Sequence, residues 1–377
     1  MTPAALLGLL RQPQAAAQLR PQDWNAIIPQ ARNANLGARL ADALRQADVL
    51  DAVPPRVRPH LEAAAAVARR QRIATLTEAA RVQKALDEGG IRLVLLKGAA
   101  YLASDLPAAH GRVFGDIDLI VPEAALPESE SVLLRHGWIS THHNEYDQRY
   151  YRQWMHEIPP LRHVVRDSVL DVHHNILPRS SRHTPDAELL LDAAVPAAAL
   201  PGAWVLAPTD MVLHSACHLF HEGELDNGLR DLVDLDRLLR HFAVEPEFFE
   251  RLTARAELLH LQTPLRYALA MCQALLDTPV PPGHVWPESL RESIMNQAYL
   301  RALQPNHASA DDRWTALARY FLYVRAHWLR MRPHQLTAHL SRKAWRRWSG
   351  ITEEDTRNDA QAALAEQAKQ REKVAQG

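Results

Sequence analysis

The run "DIDLIVP" places two aspartates, Asp116 and Asp118, inside what otherwise reads as a buried strand. Side chains alternate faces along extended backbone, so Asp116, Asp118 and Ile120 are expected on one face and Ile117, Leu119 and Val121 on the other. Two carboxylates held close in a partly buried site repel each other, and a divalent cation removes that penalty. Mg²⁺ suits such a pair, because it takes carboxylate oxygens and keeps waters and substrate phosphates as its other ligands; Mn²⁺ is the alternative. A third acid stands in "SVLDVHHNI", where Asp171 and His173 share a strand face. With that strand beside "DIDLIV", three carboxylates meet at one sheet edge. Three acids suit two metal ions that activate an attacking oxygen and hold a triphosphate. The structural alternatives are a turn cap for Asp116 after Gly115 and an ion pair between Asp118 and Arg112.

The elements that must position these acids are short. "IRLVLLKG", ended by glycine, fits a buried strand, and "AAYLASDL" fits a short helix. "DIDLIVP" is a second strand, stopped by Pro122. "PESESVLLRHGW" is a helix whose early acid suits the positive helix N-terminus. "PLRHVVRDSVLDVHHNI" holds one or two further strands. Helices are expected on either side of this α/β core. "WNAIIPQARNANLGARLADALRQA" has helical apolar spacing, and the long stretch from "VPPRVRPHLE" enters at a proline pair and leaves at Gly89-Gly90. After Pro208 come "TDMVLHSACHLFHEG", the strongly amphipathic "LRDLVDLDRLLRHF", "FFERLTARAELLHLQTPLRYALAMCQALL" and "RWTALARYFLYVRAHWLRM". The expected organisation is an N-terminal helical region 1–85, a core 86–200, a C-terminal helical domain 201–348 and a polar, flexible tail 349–377.

The totals narrow the function classes. The 377 residues carry 43 basic and 44 acidic side chains, so net charge names neither a nucleic acid nor a membrane partner. The two cysteines, Cys217 and Cys272, exclude a disulfide framework and a four-cysteine zinc site, and read as reduced core residues of a cytoplasmic protein. "MTPAALLGLLRQPQ" lacks the basic start and long apolar core of a secretory signal, and no window is apolar enough to span a membrane.

"LLKGAAYLASDLPAAHGRVFGDIDLIVP" resembles the signature of the uncharacterised nucleotidyltransferase family of bacteria, within the DNA polymerase β-like superfamily. The matching positions are Lys97, Gly98, Arg112, Asp116 and Asp118, and the family's later D-x-H falls on Asp171 and His173. The flanks look similar over residues 20–340. The resemblance implies an α/β fold, with a small mixed sheet of polymerase β-like type flanked by N- and C-terminal helical regions. It implies transfer of a nucleoside monophosphate from an NTP to an unknown acceptor (small molecule, RNA or protein), with release of pyrophosphate. Asp116 and Asp118 would bind two Mg²⁺. Asp171 would bind the ion that acts on the acceptor hydroxyl and would serve as its base. Lys97, Gly98, Ala99 and Arg112 would handle the phosphates. The superfamily's usual turn is Gly-Gly or Gly-Ser, whereas this chain has Gly98-Ala99. Phosphate contact therefore falls to backbone amides at the helix start and to Lys97 or Arg112. Lys97 has a second reading, as a partner of one aspartate. His173 either hydrogen-bonds a ligating carboxylate or is a satisfied sheet histidine. Two rival functions stand beside this one: a degenerate, non-catalytic member that binds a nucleotide or a partner, and a toxin-like tRNA nucleotidyltransferase.

Two further features invite a function. His214, His218 and His221 fall at helical spacing on one face, followed by Glu222, Asp231 and Asp234; they could form a second metal site or line the cleft. Residues 313–350 carry basic side chains and no acid, with Trp314, Trp328, Trp345 and Trp348 interleaved. That composition fits a patch for RNA, anionic lipid or phosphate-bearing substrates, or else a solvated helix face whose tryptophans pack inward.

Overall fold

Seven short strands form one mixed sheet: β1 (Val94–Leu95), β2 (Ile117–Ile120), β3 (Trp138–Ser140), β4 (Leu161–His163), β5 (Val169–His173), β6 (Val195–Pro196) and β7 (Trp204–Val205). Their order is β3-β4-β5-β2-β1-β7-β6. β2 runs parallel to β5, and β1 runs parallel to β7; the other neighbours are antiparallel. β2 has partners on both edges and is buried along its whole length, which is why it reads as an apolar run interrupted by one acid. The computed structural model describes residues 5–141, 145–181, 184–221, 225–284 and 289–330.

Helices fill both sides of the sheet in sequence. The helix Arg58–Glu88 has proline in its first turn and ends where Gly90 takes φ +65°. It packs on Gly37–Gln46, on Leu126–Arg135 and on the short helix Lys97–Ala103. "WNAIIPQARNANLGARLADALRQA" is two helices, Trp24–Asn33 and Gly37–Gln46, because Asn35 turns the chain at φ +55°. The stretch from Phe248 likewise divides at His260, φ +58°, into Phe248–Leu258 and Gln262–Leu276. Pro208–His221, Gly228–Phe242, Leu290–Ala302 and Thr315–Arg330 complete the C-terminal side.

Leu6 and Trp24 near the start, Leu95 and Val172 in the sheet, and Leu238 and Leu269 beyond it belong to one continuous apolar core. Met1–Arg330 forms one compact unit. The paired strands β6 and β7 straddle residue 200, where the core was expected to end. Trp314 and Trp328 are about half exposed, so these two do not pack inward. Arg342, Lys343, Trp345, Arg346, Arg347 and Trp348 of the basic segment lie outside the described residues, as do Glu222 and the tail 349–377. Among the described residues no helix is long and apolar enough to cross a membrane.

Candidate active site

Parallel pairing of β2 with β5 sets Asp118 directly beside Asp171 and Ile120 beside His173. Alternation then puts Asp118, Asp171 and His173 on one face of the two strands. Asp116 precedes β2 by one residue and is exposed at the mouth of the same group. Of the three acids expected to act together, Asp118 and Asp171 are neighbours by register, and Asp116 lies two residues before Asp118.

Their electrostatics are unequal. Lys97 Nζ donates to Asp118 Oδ1 at 2.8 Å, and His173 Nε2 lies 3.2 Å from the same oxygen. Burial alone would push the Asp118 carboxyl up, but Lys97 and His173 hold it far below the usual carboxylate range. Asp171 is pushed up to about 7, first by burial and then by Asp118 and Asp116. Asp116 is raised chiefly by the nearby Asp118 carboxylate. Asp171 Oδ1 is buried and has no hydrogen-bond partner. A buried, unpartnered carboxylate oxygen beside a second acid is the kind of hard oxygen donor a divalent cation takes, although the ligand atoms of the three aspartates are not all within 4.8 Å of one another.

Lys97 opens the turn between β1 and the helix Lys97–Ala103 at φ +45°, a left-handed conformation uncommon for a residue with a side chain. The turn delivers its ammonium to Asp118, so of its two readings the pairing with an aspartate is present. Gly98 and Ala99 follow, both buried. A Cβ on Gly98 would stand 2.3 Å from Arg112 Nη1, so glycine is needed there to admit a guanidinium.

Arg112 was expected at the phosphates or on Asp118; its carboxylate partner is Asp234 rather than Asp118. Its Nε donates to Asp234 Oδ2 at 2.8 Å, and Arg39 Nη2 donates to Asp234 Oδ1 at 2.6 Å. All three side chains are nearly fully enclosed. The physical reason is charge pairing: each buried guanidinium needs a buried carboxylate oxygen, and the two oxygens of Asp234 on Gly228–Phe242 supply one apiece. Burial lowers Arg39 to about 10, with Asp234 opposing the fall.

The helix Pro208–His221 divides its histidines. His214 is buried, and its ring is driven well below the usual histidine range by burial and then by the charges of Lys97 and His173. His218 Nε2 instead lies 3.8 Å from Asp231 Oδ2. Among the described residues a different trio, His156, Glu157 and His173, has its ligand atoms within 4.8 Å of one another, and the three aspartates do not form such a group. His156 and Glu157 were missed from the sequence; the signal that could have found them is their place in "MHEIPP", directly ahead of a strand that returns to β5. Asp234 had been noted only as an acid following the histidines, and its link to Arg39 and Arg112 carries no local signature.

Comparison with known proteins bears on this arrangement. No curated protein matches the chain. A solved structure described as the solution structure of the antibiotic-resistance factor ANT(2'')-Ia, with substrate-regulated conformation dynamics, aligns at 17% identity and a TM-score of 0.33. The alignment covers 48% of this chain and 90% of that one, a likeness too low to argue from. The model of the family described as "Uncharacterised nucleotidyltransferase" matches residues 20–277, more than half of the chain and all of the carboxylate site. By that match, the chain belongs to the uncharacterised nucleotidyltransferase family.

Proposed function

We propose that the protein transfers a nucleoside monophosphate from an NTP to a hydroxyl of an acceptor, releasing pyrophosphate, and that Asp116, Asp118 and Asp171 hold the divalent metal this requires. The observation that carries the reading is the register of β2 and β5, which sets Asp118 beside Asp171 with an unpartnered oxygen on the latter. Mg²⁺, or Mn²⁺ in its place, would neutralise the triphosphate and acidify the acceptor hydroxyl when bound.

Each side chain then has a task. Asp118, kept ionised by Lys97 and His173, is a ready ligand at any pH near neutrality. Asp116 sits at the exposed side, where the triphosphate would enter. Asp171, raised to about 7, is suited to take the acceptor proton. The acceptor oxygen bonds to the α-phosphorus, the bond from that phosphorus to the oxygen bridging to the β-phosphate breaks, and pyrophosphate leaves. Lys97 gives positive charge beside the group. Arg112 acts through Asp234, holding Gly98 and the start of the helix in place. In this reading the core carries the chemistry, and the N-terminal helical region and the C-terminal helices enclose it. Cys217 and Cys272 are both buried and not joined in a disulfide, in keeping with a cytoplasmic location.

The test is turnover. The protein is incubated with each labelled NTP, Mg²⁺ and a cell extract. A labelled acceptor that disappears with Asp118→Asn is the expected result. Tight NTP binding with no label transferred in any fraction would favour the degenerate, non-catalytic reading.

A further inference from the structure

We propose that His156, Glu157 and His173 form a binding site for a zinc-class divalent ion, adjoining the aspartates but separate from the ions those would hold. Backbone contacts fix the three residues independently of any ligand. Glu157 and His173 face each other in an antiparallel bridge, and the amides of His174 and Asn175 donate to the His156 carbonyl at 2.8 and 3.3 Å. His156 and His173 are buried, while the Glu157 side chain is 18% exposed, which leaves one side open for entry.

Three observations point to an ion. The ligand atoms of the trio lie within 4.8 Å of one another. His173 Nδ1 and Glu157 Oε2 are 3.4 Å apart. Zinc-to-nitrogen and zinc-to-oxygen bonds of about 2.0–2.1 Å at a tetrahedral angle put two ligand atoms about 3.4 Å apart, so this pair already spans one edge of the coordination polyhedron. Finally, His173 Nδ1 is buried and has no hydrogen-bond partner, although a carboxylate faces it.

The donor count explains why. An imidazole with one N–H stands between two carboxylates, Asp118 at Nε2 and Glu157 at Nδ1, and can donate to only one of them. A cation bound at Nδ1 takes up the lone pair there, neutralises Glu157 and fixes the N–H on Nε2, pointed at Asp118. Two imidazoles and a carboxylate are a zinc-class donor set with a position left for water, whereas Mg²⁺ prefers oxygen donors alone. His173 is then a positioning residue, holding Asp118 through a metal-fixed tautomer. The site does not depend on which reaction the aspartates perform.

The experiment strips the full chain with chelator and titrates Zn²⁺, then Co²⁺, in millimolar Mg²⁺. One equivalent of Zn²⁺ binding despite the Mg²⁺, and the intense visible absorption of four-coordinate Co²⁺, are expected. Glu157→Gln and His156→Ala should each weaken binding by more than the ~10–100-fold that loss of an outer partner costs. Asp171→Asn should keep Zn²⁺ while losing Mg²⁺-dependent NTP binding, which separates this site from the proposed catalytic one. X-ray absorption of the Zn²⁺-loaded wild type should report imidazole ligands, and a shell without them contradicts the site even if a variant does not fold. Displacement of the Zn²⁺ by Mg²⁺, unchanged affinity in Glu157→Gln, or a zinc shell without imidazole would overturn the proposal.

Discussion

Asp118 and Asp171 are one strand spacing apart yet differ in what they do to stability. Asp118 is clamped by Lys97 and His173, so Asp118→Asn breaks a buried ion pair, a change that costs about 3–5 kcal/mol. Asp171 is the reverse: its folded carboxyl is raised to about 7 by burial and by two like charges. Between its unfolded value near ~3.9 and that folded value, the native state binds more protons than the unfolded chain. Metal-free stability therefore falls as pH rises through this window, and Asp171→Asn should remove the slope and raise the neutral-pH melting point. Denaturant melts of both variants in chelator, at several pH values, check the opposite signs. Loss of stability in Asp171→Asn across the whole range would mean that this carboxylate has a structural partner after all.

At the scale of elements, the turn from β1 into Lys97–Ala103 couples backbone to charge. Gly98→Ala would press a Cβ against Arg112 and drive its guanidinium from Asp234, with a cost of about 1–3 kcal/mol. The cost should shrink when Arg112 is first replaced by Gln, because the clash is with that side chain, and a double-mutant cycle by denaturant melts measures the difference. These elements were legible in the sequence to the extent that local rules govern them. Period-two alternation placed Asp118, Asp171 and His173, and the "KG" junction marked the strand-to-helix turn. The partner of Arg112 was not legible, since Asp234 lies on a helix far along the chain and no spacing rule connects the two. Asp116 shows a smaller limit: alternation assigned it to the strand, but pairing begins at Ile117 and leaves it at the exposed end. His156 and Glu157 were invisible for a similar reason, being brought to β5 by a single bridge rather than by a regular element.

For the molecule as a whole, the buried triad Arg39–Asp234–Arg112 ties an N-terminal helix, the loop before β2 and a C-terminal helix into one body. Asp234→Asn leaves two guanidiniums in the interior sharing no carboxylate, and should cost about 3–5 kcal/mol. Burial would raise the Asp234 carboxyl, but Arg112 and Arg39 hold it below its usual value. Its contribution is therefore complete above the unfolded value near ~3.9 and lost as pH falls through the lower folded one, so wild type and Asp234→Asn should converge in strong acid. The proposal that this body presents a metal-dependent nucleotide site rests on family membership and on the paired acids of β2 and β5. Isothermal titration of each NTP into the chelator-stripped protein, with and without millimolar Mg²⁺, tests that claim most directly. The account predicts saturable binding of at least one NTP that requires Mg²⁺ and is lost in Asp118→Asn and Asp171→Asn. Binding of equal strength in chelator, or no binding of any NTP with Mg²⁺ present, would contradict it.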